Sequence, residues 1–268
     1  MVSFPFCKIN LGLSVLSKRE DGFHNLETCF YPVQWTDVLE IILSDKFDFT
    51  TSGNNIPGDP QDNLCVKAYQ LLKKDFELAP VTIHLHKIIP SGAGLGGGSS
   101  DAAHTLQLLN TIFSLNLSGS KLMEYAAMLG SDCAFFIQDK PMIGTGRGEV
   151  LNRIDFDLNR FLVIIKPDIH VSTRDAFSGI TTYTADISIA DVILNHPINQ
   201  WKGLLINSFE GSVFSKNPML STIKNRLYEL GATYASMTGS GSAIFGIFNE
   251  EKDISAEFSD MVYWSGFA

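Results

Sequence analysis

The segment of residues 92–98 constrains this chain more than any other, because five of its seven residues are glycine. Without Cβ atoms, the backbone amides of such a segment can approach an anion closely. Three residues that favour helix N-caps follow at 99–101, and apolar residues at helical spacing then predict a helix over about 99–113. The positive end of its dipole would point at the same place. A strand-to-helix turn without a ligand needs far fewer glycines, so the segment predicts a phosphate-binding loop.

The motif around these glycines excludes the commonest phosphate-binding loops. No Gly-Lys-Ser or Gly-Lys-Thr follows, so the loop is not of the Walker A type. Glycines at 92, 94 and 97 match GxGxxG, but residues 102–123 contain no acid for a ribose, and residues 81–89 alternate in polarity instead of being uniformly apolar. A dinucleotide-binding oxidoreductase is therefore a distant alternative. The HRD and DFG motifs of protein kinases are also absent from the sequence.

Composition narrows the partners of the chain. The net charge is −9 and no run of Lys or Arg occurs, so a nucleic-acid partner is not predicted. The four cysteines form no CxxC pair, which argues against a zinc site or a disulfide framework. No apolar run approaches the length of a membrane span. These features predict a soluble cytoplasmic protein without a membrane partner.

Periodicity predicts mixed α and β structure in both halves of the chain. Alternation over residues 7–15 predicts a half-buried strand in which Lys8 and Asn10 share one face. Further patterns predict strands at 28–33, 38–43, 81–89, 161–165 and 243–248, helices at 63–76, 120–130 and 220–230, and a loop at 54–62. The chain turns polar between two apolar blocks near residues 155–160, where we place a domain boundary.

The glycine-rich motif and several other segments resemble one superfamily. Residues 94–100 (GLGGGSS) resemble the central motif of the GHMP kinases, which include galactokinase, homoserine kinase and mevalonate kinase. Segments 8–11, 21–24, 129–136, 166–173 and 238–243 resemble a branch that acts on a cytidine-diphosphate sugar alcohol of the non-mevalonate isoprenoid pathway. The resemblance implies ATP-dependent phosphorylation of a hydroxyl of that acceptor, the 2-hydroxyl. ATP would be the co-substrate, with Mg²⁺ whose ligands the sequence does not assign.

The fold implied by the resemblance is α+β with two domains. Residues 1–156 would form an ATP-binding domain of the ribosomal-protein-S5-like type, and residues 157–268 a ferredoxin-like domain. The acceptor would bind between them.

The resemblance also assigns roles to individual residues. Asp132 would be the base that accepts the proton of the acceptor hydroxyl, and Lys8 would keep it ionised and stabilise the transition state. The residues implied to contact ATP are Asn63, Leu64, Lys87, Pro90, Ser91, Gly92, Ala93, Gly94, Leu95, Gly96, Gly97, Gly98, Ser99 and Ser100. Those implied to contact the acceptor are Asn10, Phe23, His24, Thr173, Phe177, Gly239 and Ser240. Phe23 stands where the family usually has Tyr, so stacking is kept while a hydroxyl contact is lost.

Two alternatives stay open at this point. The chain could be another GHMP kinase, of the mevalonate or homoserine type, although the pair Phe23 and His24 favours a cytidine-bearing acceptor. It could also be a non-catalytic nucleotide-binding sensor, a reading that loss of Lys8 or Asp132 would have favoured; both residues are present.

Overall fold

A computed structural model describes residues 1–180, 182–183 and 187–268. In it the chain packs as two compact units whose segments interleave in sequence. The first unit consists of Met1–Cys7, Trp35–Ser91 and Gly96–Lys140, and the second of Lys8–Gln34, Gly92–Leu95 and Pro141–Ala268. The linear division at residue 156 stays a prediction.

The described residues form strands and helices in both units. The strands are, in chain order, β1 Val2–Ser3, β2 Phe6–Lys18, β3 His24–Thr36, β4 Val38–Leu43, β5 Asp48–Gly53, β6 Val81–Lys87, β7 Met142–Thr145, β8 Val150–Arg153, β9 Phe161–Lys166, β10 Tyr234–Met237, β11 Ile244–Phe248 and β12 Val262–Phe267. The α-helices are α1 Leu64–Asp75, α2 Gly97–Ile112, α3 Gly119–Leu129, α4 Thr173–Ser178, α5 Ile189–Asn195, α6 Glu210–Lys216 and α7 Pro218–Glu229. None of these helices is both long and apolar enough to cross a bilayer.

The first unit contains a four-stranded sheet in the order β1-β4-β6-β5, with β5 parallel to β6 and the other pairs antiparallel. Strand β6 alternates in burial, and its apolar residues Val81, Ile83 and Leu85 are fully buried. This strand ends at Lys87, ten residues before α2 begins at Gly97, so the sheet and the helix fix the two ends of the glycine-rich loop.

The second unit contains the antiparallel sheet β10-β11-β9-β12, in which Phe161 of β9 lies opposite Phe248 of β11. Its apolar core includes Val163, Ile165 and Leu227. A further sheet has the order β2-β3-β7-β8, and β7 and β8 form a hairpin closed by the Thr145–Val150 pair.

The burial of strand β2 differs from the prediction made from its alternating sequence. The alternation of residues 7–15 predicted a half-buried strand, but every residue from Phe6 to Val15 is buried. Lys8 and Asn10 can be buried on the polar face because both are hydrogen-bonded within the second unit. The predicted polar, solvent-facing side of this strand is thus an interior polar network.

Helix α2 begins earlier than predicted. Residues 99–101 were expected at its N-cap, but the cap is Gly96, with φ of 71°, and the first helical residue is Gly97. The amides of the first turn are therefore not capped by any side chain. Binding of a phosphate at these amides stays a prediction.

Candidate active site

A buried polar network surrounds Lys8 in the second unit. The Lys8 ammonium donates to Asn10 Oδ1 at 2.6 Å and to the Gly94 carbonyl at 2.8 Å, and it lies 5.5 Å from the centre of the Phe30 ring. Lys8 is only 3% exposed. Because a buried ammonium is costly unless it is hydrogen-bonded, these contacts are what allow it to stay inside.

Asn10 links Lys8 to two hydroxyl groups. Its backbone N–H donates to Thr238 Oγ1 at 3.0 Å, and its Nδ2 donates to Thr28 Oγ1 at 2.8 Å. The Thr28 hydroxyl in turn donates to the carbonyl of Gly12 at 2.6 Å. With its amide nitrogen engaged in this way, Asn10 presents its Oδ1 to Lys8, so the two side chains are fixed as one unit.

The first half of the glycine-rich loop is fixed by the same network. The Lys8 N–H donates to the Leu95 carbonyl at 2.9 Å, and the Ala243 N–H donates to that of Ala93 at 3.1 Å. The Thr238 hydroxyl lies 3.1 Å from the Gly94 carbonyl. A Cβ on Gly94 would lie 2.1 Å from the carbonyl oxygen of Thr238, so this close approach requires glycine.

The predicted acceptor residues form two groups in the second unit. His24 and Phe177 stack, with ring centres 4.9 Å apart and planes 18° apart. Burial, together with the charge of Lys18, lowers the pKa of His24. Thr173, the first residue of α4, lies 3.3 Å from Ser240 between hydroxyl oxygens. The first group thus offers aromatic rings and an imidazole, and the second offers two hydroxyls.

Phe23 is 54% exposed, and the guanidinium of Arg147 lies 5.0 Å from the centre of its ring. Arg147 is itself held by Glu149, its Nε lying 3.3 Å from the carboxylate. One face of the aromatic ring that was predicted to stack on cytosine is therefore covered by a cation. No role for this arginine was predicted from the sequence.

The first unit contains a cavity at the start of two helices. Its volume is about 250 Å³, and it is lined by Asn63, Leu64 and Gly98, together with Phe49, Thr51, residues 56–60 and Asp62. Asn63 caps α1, its side-chain oxygen accepting the Cys65 N–H at 2.9 Å. The cavity thus combines apolar walls with the start of α2.

Lys87 lies in a fully buried ion-paired cluster. Its ammonium contacts the carboxylates of Asp37 and Asp101, the latter at 2.9 Å, and all three side chains are at most 3% exposed. Burial acts to lower the pKa of Lys87, but the two carboxylates outweigh it and raise that pKa. Burial and the neighbouring carboxylate raise the pKa of Asp101. A direct contact of the Lys87 ammonium with ATP would require this cluster to open.

Asp132 lies between α3 and the buried aromatic residues Phe135 and Phe136. It is half-buried, and its carbonyl accepts the Phe135 N–H at 3.2 Å, which fixes the turn. The neighbouring Cys133 thiol is buried, and burial raises its pKa to about 11. Asp132 is the carboxylic acid of this turn, so it is the acid–base candidate there.

Relatives with curated names resemble the chain over nearly its whole length. A 4-diphosphocytidyl-2-C-methyl-D-erythritol kinase of Bacteroides thetaiotaomicron is 54% identical over 94% of this chain and 93% of its own length. One of Cytophaga hutchinsonii is 51% identical over 94% of each. The chain belongs to the 4-diphosphocytidyl-2-C-methyl-D-erythritol kinase family. Residues 63–140 match the model of the GHMP kinases N terminal domain, and residues 195–262 that of the GHMP kinases C terminal.

Solved structures agree with this assignment. A crystal structure of a 4-(cytidine 5'-diphospho)-2C-methyl-D-erythritol kinase matches with a TM-score of 0.85 and 30% identity, over 100% of this chain and 98% of that chain. A mevalonate kinase of L. major matches with a TM-score of 0.75 at 15% identity, over 99% and 94% of the two chains, which shows the shared fold alone. The α+β GHMP kinase fold and an ATP-dependent small-molecule kinase are thereby confirmed. The oxidoreductase and sensor alternatives were wrong.

Several residues of the network were not assigned by the sequence analysis. Thr238 and Thr28 hold Asn10, and the Asn207 side chain donates to the carbonyls of Met237 and Gly239 at 2.8 Å each. Thr238 begins the motif Thr-Gly-Ser-Gly-Ser, so its position was visible in the sequence. Nothing in the local sequence of Thr28 or Asn207 indicates their partners, which are distant along the chain.

Proposed function

We propose that this chain transfers the γ-phosphoryl group of ATP to the 2-hydroxyl of 4-diphosphocytidyl-2-C-methyl-D-erythritol, in the non-mevalonate isoprenoid pathway. The observation that carries the proposal is the 51–54% identity, over most of the chain, to relatives with that name. The exposed Phe23 ring and the half-buried His24, with Phe177 stacked on His24, supply the surface that a cytosine ring requires.

ATP binding is proposed for the glycine-rich loop of residues 90–100 and the adjoining cavity. The uncapped amides at the start of α2 would bind phosphate oxygens, and the cavity beside Asn63 and Leu64 would hold the adenosine. Its apolar wall and its contact with Gly98 support this placement.

For the chemical step we assign the acid–base role to Asp132. As the acceptor hydroxyl attacks the γ-phosphorus, Asp132 takes its proton, and the oxygen–phosphorus bond forms as the bond to ADP breaks. Lys8 supplies positive charge for the developing transition state. The hydrogen bonds of Lys8 to Asn10 and Gly94 fix the direction of its ammonium, which supports a preorganised role.

The acceptor is proposed to be bound by residues of the second unit. Asn10 would hydrogen-bond the sugar alcohol, and His24 would hydrogen-bond the cytosine edge as a neutral imidazole, since its pKa is lowered. Thr173 and Ser240, whose hydroxyls already meet, would contact the acceptor together with the backbone of Gly239.

Mg²⁺ is proposed to accompany ATP. In the described ranges no group of three His, Cys, Asp or Glu side chains is placed to hold a metal, which fits a nucleotide-borne Mg²⁺ that needs one or two protein ligands. The Ser100 hydroxyl, in the first turn of α2, is buried and has no hydrogen-bond partner among the described residues, so it could supply one oxygen. Bound Mg²⁺ would neutralise the phosphate charge that builds up during transfer.

We place the reaction in the cytoplasm. All four cysteines are buried and unbridged, which suits a reducing compartment. The net charge of −9 gives no reason to expect a nucleic-acid or membrane partner.

The test is ADP release measured with a panel of acceptors. We expect turnover of 4-diphosphocytidyl-2-C-methyl-D-erythritol and none of mevalonate, homoserine or galactose. Nuclear magnetic resonance of the product then shows which oxygen carries the phosphate. Comparable turnover of mevalonate, or a phosphate on another oxygen, would overturn the proposal.

A further inference from the structure

The buried cluster of Asp37, Lys87 and Asp101 has no part in the chemical step proposed above. Its three side chains come from three places in the first unit. Asp37 lies between β3 and β4, Lys87 ends β6, and Asp101 lies in α2, just after the first turn of the helix. Lys87 bonds to both carboxylates and joins these places through one ammonium.

The cluster fixes the chain on both sides of the glycine-rich loop. On the upstream side, Asp37 Oδ1 accepts the N–H groups of Ile88 and Ile89 at 2.6 and 2.8 Å, and residue 90 opens the loop. On the downstream side, Asp101 directly follows Ser100, the last loop residue. Both ends of the loop are therefore tied to the same cation.

The loop also packs directly on this cation. A Cβ on Gly97 would lie 2.8 Å from Lys87 Nζ, so the ammonium packs directly against the first residue of α2. A displacement of the ammonium would be transmitted to the first amides of the helix. Those are the amides that the proposed function assigns to phosphate.

Stability alone does not explain such a cluster. Removing charges from water is costly, and apolar residues of similar volume often replace a buried ion pair without loss of stability. One carboxylate oxygen, Asp101 Oδ1, is buried without a hydrogen-bond partner among the described residues, which adds to the cost. What the cluster supplies is a fixed geometry at the two ends of one loop.

We propose that Asp37, Lys87 and Asp101 form a positioning unit that holds the ends of loop 90–100 at the spacing that binding of the ATP phosphates requires. The inference rests on the proposed phosphate role of that loop. It replaces the predicted direct contact of Lys87 with the nucleotide by an indirect one.

The first test compares Asp101→Ala with Asp101→Asn by calorimetric titration with ATP. Asparagine keeps an oxygen that can accept from Lys87, whereas alanine does not. We expect the Kd for ATP to rise at least about tenfold in Asp101→Ala, since small misplacements of binding groups are costly. Asp101→Asn should restore most of the affinity, and the KM for the acceptor should change little in both. An unchanged Kd in folded Asp101→Ala, or equal losses in the two variants, would overturn the proposal.

Two further variants separate positioning from stability. Leu72→Ala opens a cavity in α1 of the same unit, and it should lower the urea midpoint of unfolding without changing the Kd for ATP. If Asp101→Ala does not fold, a variant that combines Asp37→Asn, Lys87→Met and Asp101→Leu removes all three charges, and the amide oxygen at position 37 can still accept the N–H groups of Ile88 and Ile89. We expect this combined variant to fold and to bind ATP at least about tenfold more weakly. Affinity like that of the wild type in this variant, or an equal loss in Leu72→Ala, contradicts the positioning role.

The titration also distinguishes the two proposals. Wild-type protein that binds ATP but turns over none of the acceptors would refute the proposed function and leave the positioning unit open to the same affinity test. Turnover by the wild type with unchanged ATP affinity in Asp101→Ala would refute the positioning unit alone.

Discussion

Substitution of Gly94 by alanine tests whether the first half of the glycine-rich loop is fixed by the protein itself. Gly94 has φ of 77°, in the left-handed region, and its Cβ would lie 2.1 Å from the Thr238 carbonyl oxygen. The Gly94 carbonyl also accepts hydrogen bonds from Lys8 at 2.8 Å and from Thr238 at 3.1 Å. An added methyl group must push the loop away from Thr238, and the two hydrogen bonds would be lost with it.

The expected loss follows from these contacts. A left-handed backbone costs a residue with a Cβ about 1–2 kcal/mol. The bond from the charged Lys8 contributes about 1.5–3 kcal/mol, and the hydroxyl bond from Thr238 about 1 kcal/mol. Because the loop can relax in part, we expect Gly94→Ala to lower the free energy of unfolding by about 3–5 kcal/mol, out of a total that is typically about 5–15 kcal/mol.

The assay is urea denaturation followed by circular dichroism and tryptophan fluorescence, with Gly98→Ala as the matched control. Gly98 lies in the same loop, but a Cβ there would meet nothing within 4 Å, and alanine favours the first turn of α2. We expect the control to be as stable as the wild type or more so. A Gly94→Ala protein within about 1 kcal/mol of the wild type, close to the error of extrapolation, would refute the argument.

Three other perturbations test the site and the first unit. Asp132→Asn should lower kcat at least about 100-fold with little change in ATP affinity. The loss of kcat in the double variant with Lys8→Met should be smaller than the product of the two single losses. A kcat of Asp132→Asn above about a tenth of the wild-type value would exclude Asp132 as the base. Asn63→Ala should cost about 1 kcal/mol of stability by removing the N-cap of α1, and Asn63→Asp should not; equal urea midpoints would contradict this. Burial lowers the pKa of His104 to about 4, so the unfolded chain takes up a proton first as pH falls from about 6.5. Stability should therefore fall by up to about 3 kcal/mol between pH 6.5 and 4, and in His104→Gln this part of the pH dependence should be missing.

The local sequence pattern was sufficient to predict those elements whose apolar residues recur at a clear helix or strand period. The strand at 38–43 was predicted with the bounds that β4 has, and the helix at 63–76 differs from α1 by one residue at each end. The predicted helix at 120–130 ends, as expected, at the cap Gly130. In each case the residues facing the core repeat at the period of the element, which is a property of neighbouring residues only.

Elements held by distant partners were not predicted. Strand β5, Asp48–Gly53, has almost no buried residues, and only its parallel pairing with β6 makes it a strand. Strand β12, Val262–Phe267, is half-buried and lies at the edge of its sheet beside β9. Both pairings join residues that are far apart in sequence, such as Asp48 with Thr82 and Val262 with Lys166, and leave no local signal, so neither strand could be predicted from periodicity.

The candidate site, too, could be predicted only in part. Its motifs were visible because glycines, a lysine and an aspartate stand at family spacings. The hydrogen bonds that position those residues were not visible, because the partners Thr28 and Asp37 lie in other parts of the chain, 18 and 50 residues away from Asn10 and Lys87. Chemistry can be assigned from motifs, while preorganisation depends on contacts that only the folded chain brings together.

The glycines of the loop divide by what excludes a side chain from each. At Gly94 the obstacle is the Thr238 carbonyl, and at Gly97 it is the Lys87 ammonium, so both glycines are required by contacts within the protein. At Gly98 nothing within 4 Å would meet a Cβ, although the residue lines the cavity beside Asn63. The inference from excess glycine to a bound phosphate therefore depends on Gly98 far more than on Gly94 or Gly97. Substitutions at Gly94 and Gly98 should therefore have different effects. A side chain at Gly94 should lower the free energy of unfolding, whereas one at Gly98 should weaken ATP binding without lowering the stability of the protein.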